Sequence, residues 1–282
     1  MLETQQLEVA LAAVVGLAIG SFLNVVIHRL PKMLERQWAD ECAELAGATP
    51  TLTEQARLGL MTPRSRCGSC GHPIRCIENI PILSYLYLHG KCSKCSEPIG
   101  IRYPLVELTT AALFAFCIAK WGLTPRGVSW ALFCAALLTL ACIDWDTTFL
   151  PDDVTLPLVW GGLIASTLQF TEVPLSASLW GAVAGYLSLW NLYWAFKLLT
   201  GKEGMGYGDF KLFAALGAWF GWQALIPIIL IASVIGALVG LGMKFSSRLR
   251  EGGYVPFGPF LAGAGFISLI FGPQAVLGLA GL

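Results

Sequence analysis

Residues 7–27 read Leu-Glu-Val-Ala-Leu-Ala-Ala-Val-Val-Gly-Leu-Ala-Ile-Gly-Ser-Phe-Leu-Asn-Val-Val-Ile, with one acidic side chain and no basic one. A helix that crosses a bilayer needs ~20 mostly apolar residues, because in lipid every backbone N–H and C=O must pair within the chain. Run 7–27 meets that requirement, and similar runs follow at 104–120, 128–143, 154–170, 179–199, 210–221, 223–243 and 256–279. The sixth of these eight candidate spans is short, and the tight run from Trp219 through Gly221 to Trp222 leaves its end open. Over all 282 residues the hydrophobic share is 56%, the mean hydropathy is +0.67 and the charged share is 13%. That charge content is half the roughly 25% of a soluble domain. It excludes a disordered tail, a nucleic-acid-binding module and most soluble enzymes. Eighteen basic and eighteen acidic side chains cancel, so no global field attracts polyanions and no nucleic-acid partner is expected. The expected fold is an all-α polytopic membrane protein of about eight transmembrane helices, surrounded by lipid.

Orientation follows from the basic residues. With the N-terminus outside, all Lys and Arg except Lys120 and Arg126 fall on the cytoplasmic side, and the opposite topology would invert that bias. Basic residues follow the first run instead of preceding it, so it reads as a retained reverse anchor, not a cleaved secretory signal. There is no internal repeat at a fixed period and no low-complexity linker. The expected organisation is a first transmembrane helix at 1–28, a small cytosolic domain at 29–103 and a transmembrane domain at 104–282. So short a domain would need a staple to fold.

Nine cysteines fall into two groups. Cys42, Cys117, Cys134 and Cys142 are isolated, and the last three lie in apolar runs, where Cys acts as a small hydrophobe. Cys67-Gly-Ser-Cys70 and Cys92-Ser-Lys-Cys95 are two C-x-x-C pairs, a pattern suited to one tetrahedral Zn²⁺. Four thiolates close the shell and leave no position for water, so the zinc would be structural. Two disulfides or a redox C-x-x-C are the competing readings. The expected cytosolic location disfavours the first, and the doubling disfavours the second. Cys76, His72 and His89 lie nearby as possible substitute ligands, although surface or packing roles account for them.

Carboxylates at the edge of the membrane form the second cluster. Asp144 and Asp146 end the third run in Ile-Asp-Trp-Asp-Thr-Thr-Phe-Leu-Pro-Asp-Asp, and Asp209 opens the sixth in Gly204-Met-Gly-Tyr-Gly-Asp-Phe-Lys. Both ends fall on the cytoplasmic side of the expected topology, so the folded helices can bring these carboxylates together. Ionisable groups at such depth are costly and point to function. Two close carboxylates share a proton: one can take a proton from water while the other polarises a carbonyl, as in aspartic proteases. No G-x-S-x-G is present as an alternative. Asp152 and Asp153 precede a span, where helix capping accounts for them. Asp146 also fits a solvated interfacial carboxylate, and Asp209 a helix cap with Lys211 as an interfacial charge. Gly204-x-Gly-x-Gly208 lacks the preceding strand and the Lys-Ser/Thr of a phosphate loop.

In its ordered motifs the chain resembles the bacterial type IV prepilin peptidases, membrane aspartic proteases of the G-x-G-D class. The likeness is carried by Gly20-Ser-Phe-Leu-Asn-Val-Val-Ile-His-Arg-Leu-Pro31, both C-x-x-C pairs, Glu78-Asn-Ile-Pro81 with Ser84-Tyr-Leu86, and Arg102-Tyr-Pro-Leu-Val-Glu107. It continues through Asp144, Leu150-Pro-Asp152, Gly204 to Lys211, and Pro256-Phe-Gly-Pro259. The resemblance implies cleavage of the short basic leader from type IV prepilins and pseudopilins at the cytoplasmic membrane face. It also implies N-methylation of the new terminus with S-adenosylmethionine. The family's catalytic aspartates fall on Asp144, seven residues before Pro151, and on Asp209; Asp146 is the reserve. The family's zinc cysteines fall on Cys67, Cys70, Cys92 and Cys95, with Gly68 where the family often has Pro. No residue is assigned to the methyl donor.

The expected protein is therefore a multi-pass enzyme of the bacterial inner membrane, with its active site at the cytoplasmic face and pilus or secretion-system subunits as substrates. An ion-coupled transporter would call for inverted repeats and helices broken at mid-membrane. A non-catalytic assembly scaffold would tolerate loss of Asp144 and Asp209.

Overall fold

The structure is a computed structural model and describes residues 2–47, 59–75, 77–245 and 255–272. Among these described residues nine α-helices follow in order: α1 (Leu2–Leu45), α2 (Leu83–Tyr87), α3 (Arg102–Trp121), α4 (Pro125–Thr147), α5 (Asp152–Thr167), α6 (Leu175–Thr200), α7 (Tyr207–Phe220), α8 (Leu225–Phe245) and α9 (Gly258–Phe271). Among the described residues there is no strand, only two isolated β-bridges. Each of the eight apolar runs contains a helix, but among the described residues only α1, α3, α4 and the stretch containing α8 are long and apolar enough by themselves to cross a membrane. At 14 residues each, α7 and α9 are too short by that measure. The end of the expected eighth span, 273–279, lies outside the described residues.

Two boundaries differ from expectation. The first helix does not stop near residue 28 but continues through Pro31 to Leu45, so the expected 28/29 division falls inside one helix. The chain forms two compact units, Met1–Ala135 and Ala136–Leu282, whose division falls inside α4.

In the first unit α1 packs against α3. A Cβ on Gly16 would lie 2.7 Å from the Ala111 Cα, and one on Gly20 would lie 2.7 Å from the Glu107 Cα. Moving four residues forward along α1 thus moves four back along α3, so the helices run antiparallel with backbones touching. Small residues permit this approach, which gains packing where lipid supplies no hydrophobic drive. Between these helices lies the insertion. Its two cysteine segments are copies of one hairpin at a constant offset along the chain, so the insertion holds a short internal repeat that was not expected from the sequence. Cys67 N–H donates to His72 O and Ile74 N–H to Ser65 O; Cys92 N–H donates to Glu97 O and Ile99 N–H to Gly90 O. Gly71 and its counterpart Ser96 both take the left-handed conformation, at φ +67° and +60°.

The second unit is built around α7. Every residue of α7 from Asp209 to Phe220 except Lys211 is buried, and a helix apolar on all sides needs neighbours on all sides. Helices α5, α6, α8 and α9 pack against it. The α6 contact repeats the device of the first unit: a Cβ on Gly185 would meet Phe213 O at 2.7 Å, and one on Gly217 would fall on the Gly181 carbonyl. Trp219 Nε1 donates to Leu158 O at 2.8 Å and Ser178 Oγ to Ala218 O at 2.6 Å, joining α5 and α6 to the same helix. Gly221, at φ +81°, ends α7, which settles the open end of the sixth run. On α8, Ile226, Leu230, Val234, Leu238 and Leu241 form an exposed apolar stripe suited to lipid.

Replacing Gly217 by Ala should force α6 away from α7, an overpacking cost of about 1–3 kcal/mol. Thermal unfolding in detergent should show a lower Tm for Gly217→Ala and an unchanged one for Gly263→Ala, where nothing lies within 4 Å of the added methyl.

Candidate active site and metal centre

Asp144 lies in the last turn of α4 and Asp209 in the first turn of α7, 4% and 7% exposed respectively. The two carboxylates act on each other electrostatically. Asp146, two residues further along α4, is exposed. The third run therefore contributes one buried carboxylate to this place, and it is Asp144.

The loops that hold the pair depend on glycine at two close approaches. Gly258 N–H donates to Asp144 Oδ2 at 2.9 Å, and a Cβ at Gly258 would stand 2.6 Å from that same oxygen. A Cβ at Gly208 would stand 2.6 Å from the Leu150 Cβ. Leu150 is buried and also reaches toward Gly258, where an added Cβ would lie 3.3 Å from its Cδ1. The Leu-Pro-Asp, G-x-G-D and Pro-Phe-Gly-Pro segments thus converge on one place, with Leu150 packed between two glycines.

One capping expectation changes. The N-cap of α7 is Gly206, and the Asp209 carboxylate takes the Gly206 N–H as a partner, so Asp209 keeps a capping contact, while its Oδ1 is buried with no hydrogen-bond partner among the described residues. The N-cap of α5 is Pro151, which supplies no side-chain cap, and Asp152 binds Lys211 Nζ through both oxygens at 2.6 and 2.7 Å. This ion pair joins the N-terminal ends of α5 and α7. Lys211 is thus more than an interfacial charge. In the adjacent loop, ion pairing with Lys197 holds the Glu203 carboxyl below its ordinary range.

In the insertion, the four Sγ atoms of Cys67, Cys70, Cys92 and Cys95 all lie within 4.8 Å of one another. Cys67 Sγ is 3.7 Å from Cys95 Sγ, and Cys70 Sγ is 4.0 Å from Cys92 Sγ. Sulfurs ~2.3 Å from one tetrahedral ion lie ~3.8 Å apart, so the spacing fits a metal and is far too long for disulfides. The N–H groups of Cys70 and Ser69 hold the Cys67 thiol down to about 6. At Cys95 the Glu97 N–H favours the thiolate, but burial and the three neighbouring thiols prevail and push it up to about 12. Four thiols this close ionise together only around a cation, and the donor set could hold one.

The other candidate ligands lie elsewhere. His72 Nε2 is 3.7 Å from Glu78 Oε2, and His89 is exposed. Cys76 lies outside the described residues. The Glu78 carboxyl is held below its ordinary range, first by the Arg75 N–H and then by the Ser93 hydroxyl, so it bridges the two hairpins. Sequence reasoning quoted Glu78 only as part of a motif; its spacing from the cysteines carries no signal of this bridge.

Known proteins place the chain. Residues 14–121 match a family model described as the bacterial peptidase A24 N-terminal domain, and residues 131–241 match the type IV leader peptidase family. A protein of Burkholderia pseudomallei called prepilin leader peptidase/N-methyltransferase is 52% identical over 279 residues, covering 98% of this chain and 89% of that relative. Proteins of the same name from Aeromonas salmonicida (53% identical; 91% of this chain and 88% of the relative) and Pseudomonas aeruginosa (52%; 92% and 89%) are similar. No solved structure matches. With half its residues identical to these relatives along nearly its whole length, the chain belongs to the type IV leader peptidase family.

Proposed function

We propose that this membrane enzyme cleaves the short basic leader from type IV prepilins and pseudopilins by aspartic-dyad hydrolysis and then N-methylates the new terminus. The observation that carries the peptidase reading is the buried pair Asp144 and Asp209, with Asp209 Oδ1 making no hydrogen bond among the described residues. A buried polar atom without a partner is costly, and a substrate carbonyl or attacking water would satisfy it.

The chemistry runs through a shared proton. Water loses a proton to the ionised member of the pair as its oxygen attacks the scissile carbonyl carbon. The protonated member donates to the carbonyl oxygen. When the tetrahedral species collapses, one of its hydroxyls returns a proton to the ionised member of the pair as the C=O re-forms, the C–N bond breaks and the departing amine takes a proton from the other member, so the dyad regains its single shared proton. Asp144 and Asp209 alternate as base and acid, and the pair titrates as a unit. Gly258 N–H fixes one oxygen of Asp144 through these steps. Only after hydrolysis is a free amine available to attack the methyl group of S-adenosylmethionine, so cleavage precedes methylation.

The remaining assignments belong to the same reading. Residues 1–28 and 104–282 form about eight spans, with the N-terminus external and the dyad at the cytoplasmic face of the inner membrane. The bias of Lys and Arg supports this topology. Residues 29–103 form the cytosolic domain associated with methyl transfer, and Cys67, Cys70, Cys92 and Cys95 hold a structural Zn²⁺.

Purified enzyme in detergent, given a synthetic prepilin and S-adenosylmethionine, should yield leader peptide and a mature product heavier by one methyl group. Asp144→Asn and Asp209→Asn should each abolish cleavage; cleavage by both variants would end the dyad assignment. Gly258→Ala should lower the cleavage rate by about 10²-fold at normal expression, since it displaces a reacting carboxylate.

The holoenzyme should contain one zinc per chain by elemental analysis, and Cys67→Ser/Cys95→Ser should lose it. The Cys67 thiol is held down to about 6 by backbone N–H groups alone, and a bound cation would hold it lower still. Zinc should therefore be retained at pH 7 and released only as acid is added below that value.

A further inference from the structure

Three motifs that the peptidase chemistry leaves unused meet at one place in the first unit. Glu107, the last residue of Arg102-Tyr-Pro-Leu-Val-Glu, is 7% exposed, and no cation pairs with it among the described residues. Its Oε2 accepts the N–H of Ile82 at 2.8 Å, and the Ser21 hydroxyl donates to the same carboxylate. Ser21 comes from the Gly20-to-Pro31 motif, and Ile82 directly follows Glu78-Asn-Ile-Pro. A buried anion on a helix within an apolar run is expensive without a counter-charge, and here its known partners are a hydroxyl and one backbone amide.

That amide belongs to an unusual residue. Ile82 has φ +60° and ψ −48°, a region that a β-branched side chain occupies only when its surroundings hold it there. Ile82 is also the N-cap of α2, without a side-chain cap. Both hairpins follow from this bend. On one side it leads back to Glu78, which bridges His72 and Ser93. On the other, α2 leads to Gly90, whose carbonyl accepts the Ile99 N–H of the second cysteine hairpin. Two further buried side chains of α1 grip neighbouring backbone: Asn24 Nδ2 donates to Tyr103 O at 3.0 Å, and Arg29 Nη1 to Gly59 O at 2.8 Å.

We propose that Glu107 is a positioning residue for methyl transfer: by holding Ile82 in its positive-φ bend, it seats the four-cysteine insertion on the α1–α3 helix pair. This rests on the reading that the chain methylates its cleaved product. The role is that of a hydrogen-bond acceptor, so an amide oxygen can replace the carboxylate. If the bend is what matters, glycine at position 82, which adopts positive φ without penalty, should reduce the need for Glu107.

The test uses full-length enzyme in detergent with a synthetic prepilin and S-adenosylmethionine, resolving leader release from methyl addition by mass. Glu107→Ala should cleave as wild type does and methylate at least about tenfold more slowly, the scale of loss expected when reacting groups are misplaced. Glu107→Gln should methylate normally, and Glu107→Ala/Ile82→Gly should recover most of the lost rate. Normal methylation by Glu107→Ala, or equal loss in Glu107→Gln, or no recovery in the double variant, would each overturn the proposal. Loss of cleavage in Glu107→Ala would also overturn it, because Glu107 would then support the whole fold and not the insertion. A wild type that cleaves but never methylates would refute the methyl-transfer reading itself, and this proposal with it.

Discussion

A helix buried along almost its entire length constrains the second unit. Because α7 is apolar on every side, it gains nothing from facing lipid on one side and protein on the other, and α5, α6, α8 and α9 close around it. Backbone contact at Gly181, Gly185 and Gly217 makes the closure tight. Asp209 occupies the first turn of that helix, so the packing that buries α7 also buries its carboxylate. Placing an acid in such surroundings costs stability, which is why a buried carboxylate at a helix end points to function.

The insertion follows a different logic. Its described residues contain a 3₁₀ turn and a five-residue helix but no helix long enough to form a core. Its order comes from two copied hairpins that bring four sulfurs together, from Glu78 bridging them, and from the helix pair beneath. For so small a segment, ligation of a metal by those sulfurs would be folding energy. The protein thus combines a unit stabilised by helix packing with a segment ordered by hairpins and polar contacts.

Much of this was legible because lipid makes sequences simple to read. The requirement that a spanning backbone satisfy itself turns long apolar runs into helices, and each of the eight runs contains one among its described residues. The cysteine spacing was equally informative, since two C-x-x-C pairs leave few other chemistries. The Gly16-x-x-x-Gly20 and Gly181-x-x-x-Gly185 spacings were also present as packing signals, although the sequence reading did not use them. Helix lengths were less accessible. Run 7–27 continues as helix to Leu45 because polar residues beyond the apolar run still favour helix, and Pro31 does not break it.

Residue types and their order by themselves determined the membrane class, the helical runs, the four-cysteine set and a short list of carboxylates near the span ends. Only the tertiary structure decided which carboxylates are buried together, since Asp144 and Asp146 differ by the direction in which a helix turn carries them. It also decided that Asp152 binds Lys211 and does not cap α5, and that Glu107 reaches Ile82 twenty-five residues away. Such pairings depend on which faces of separate helices come into contact. Composition and spacing describe each helix alone, and the contact exists only once glycines have let the backbones approach.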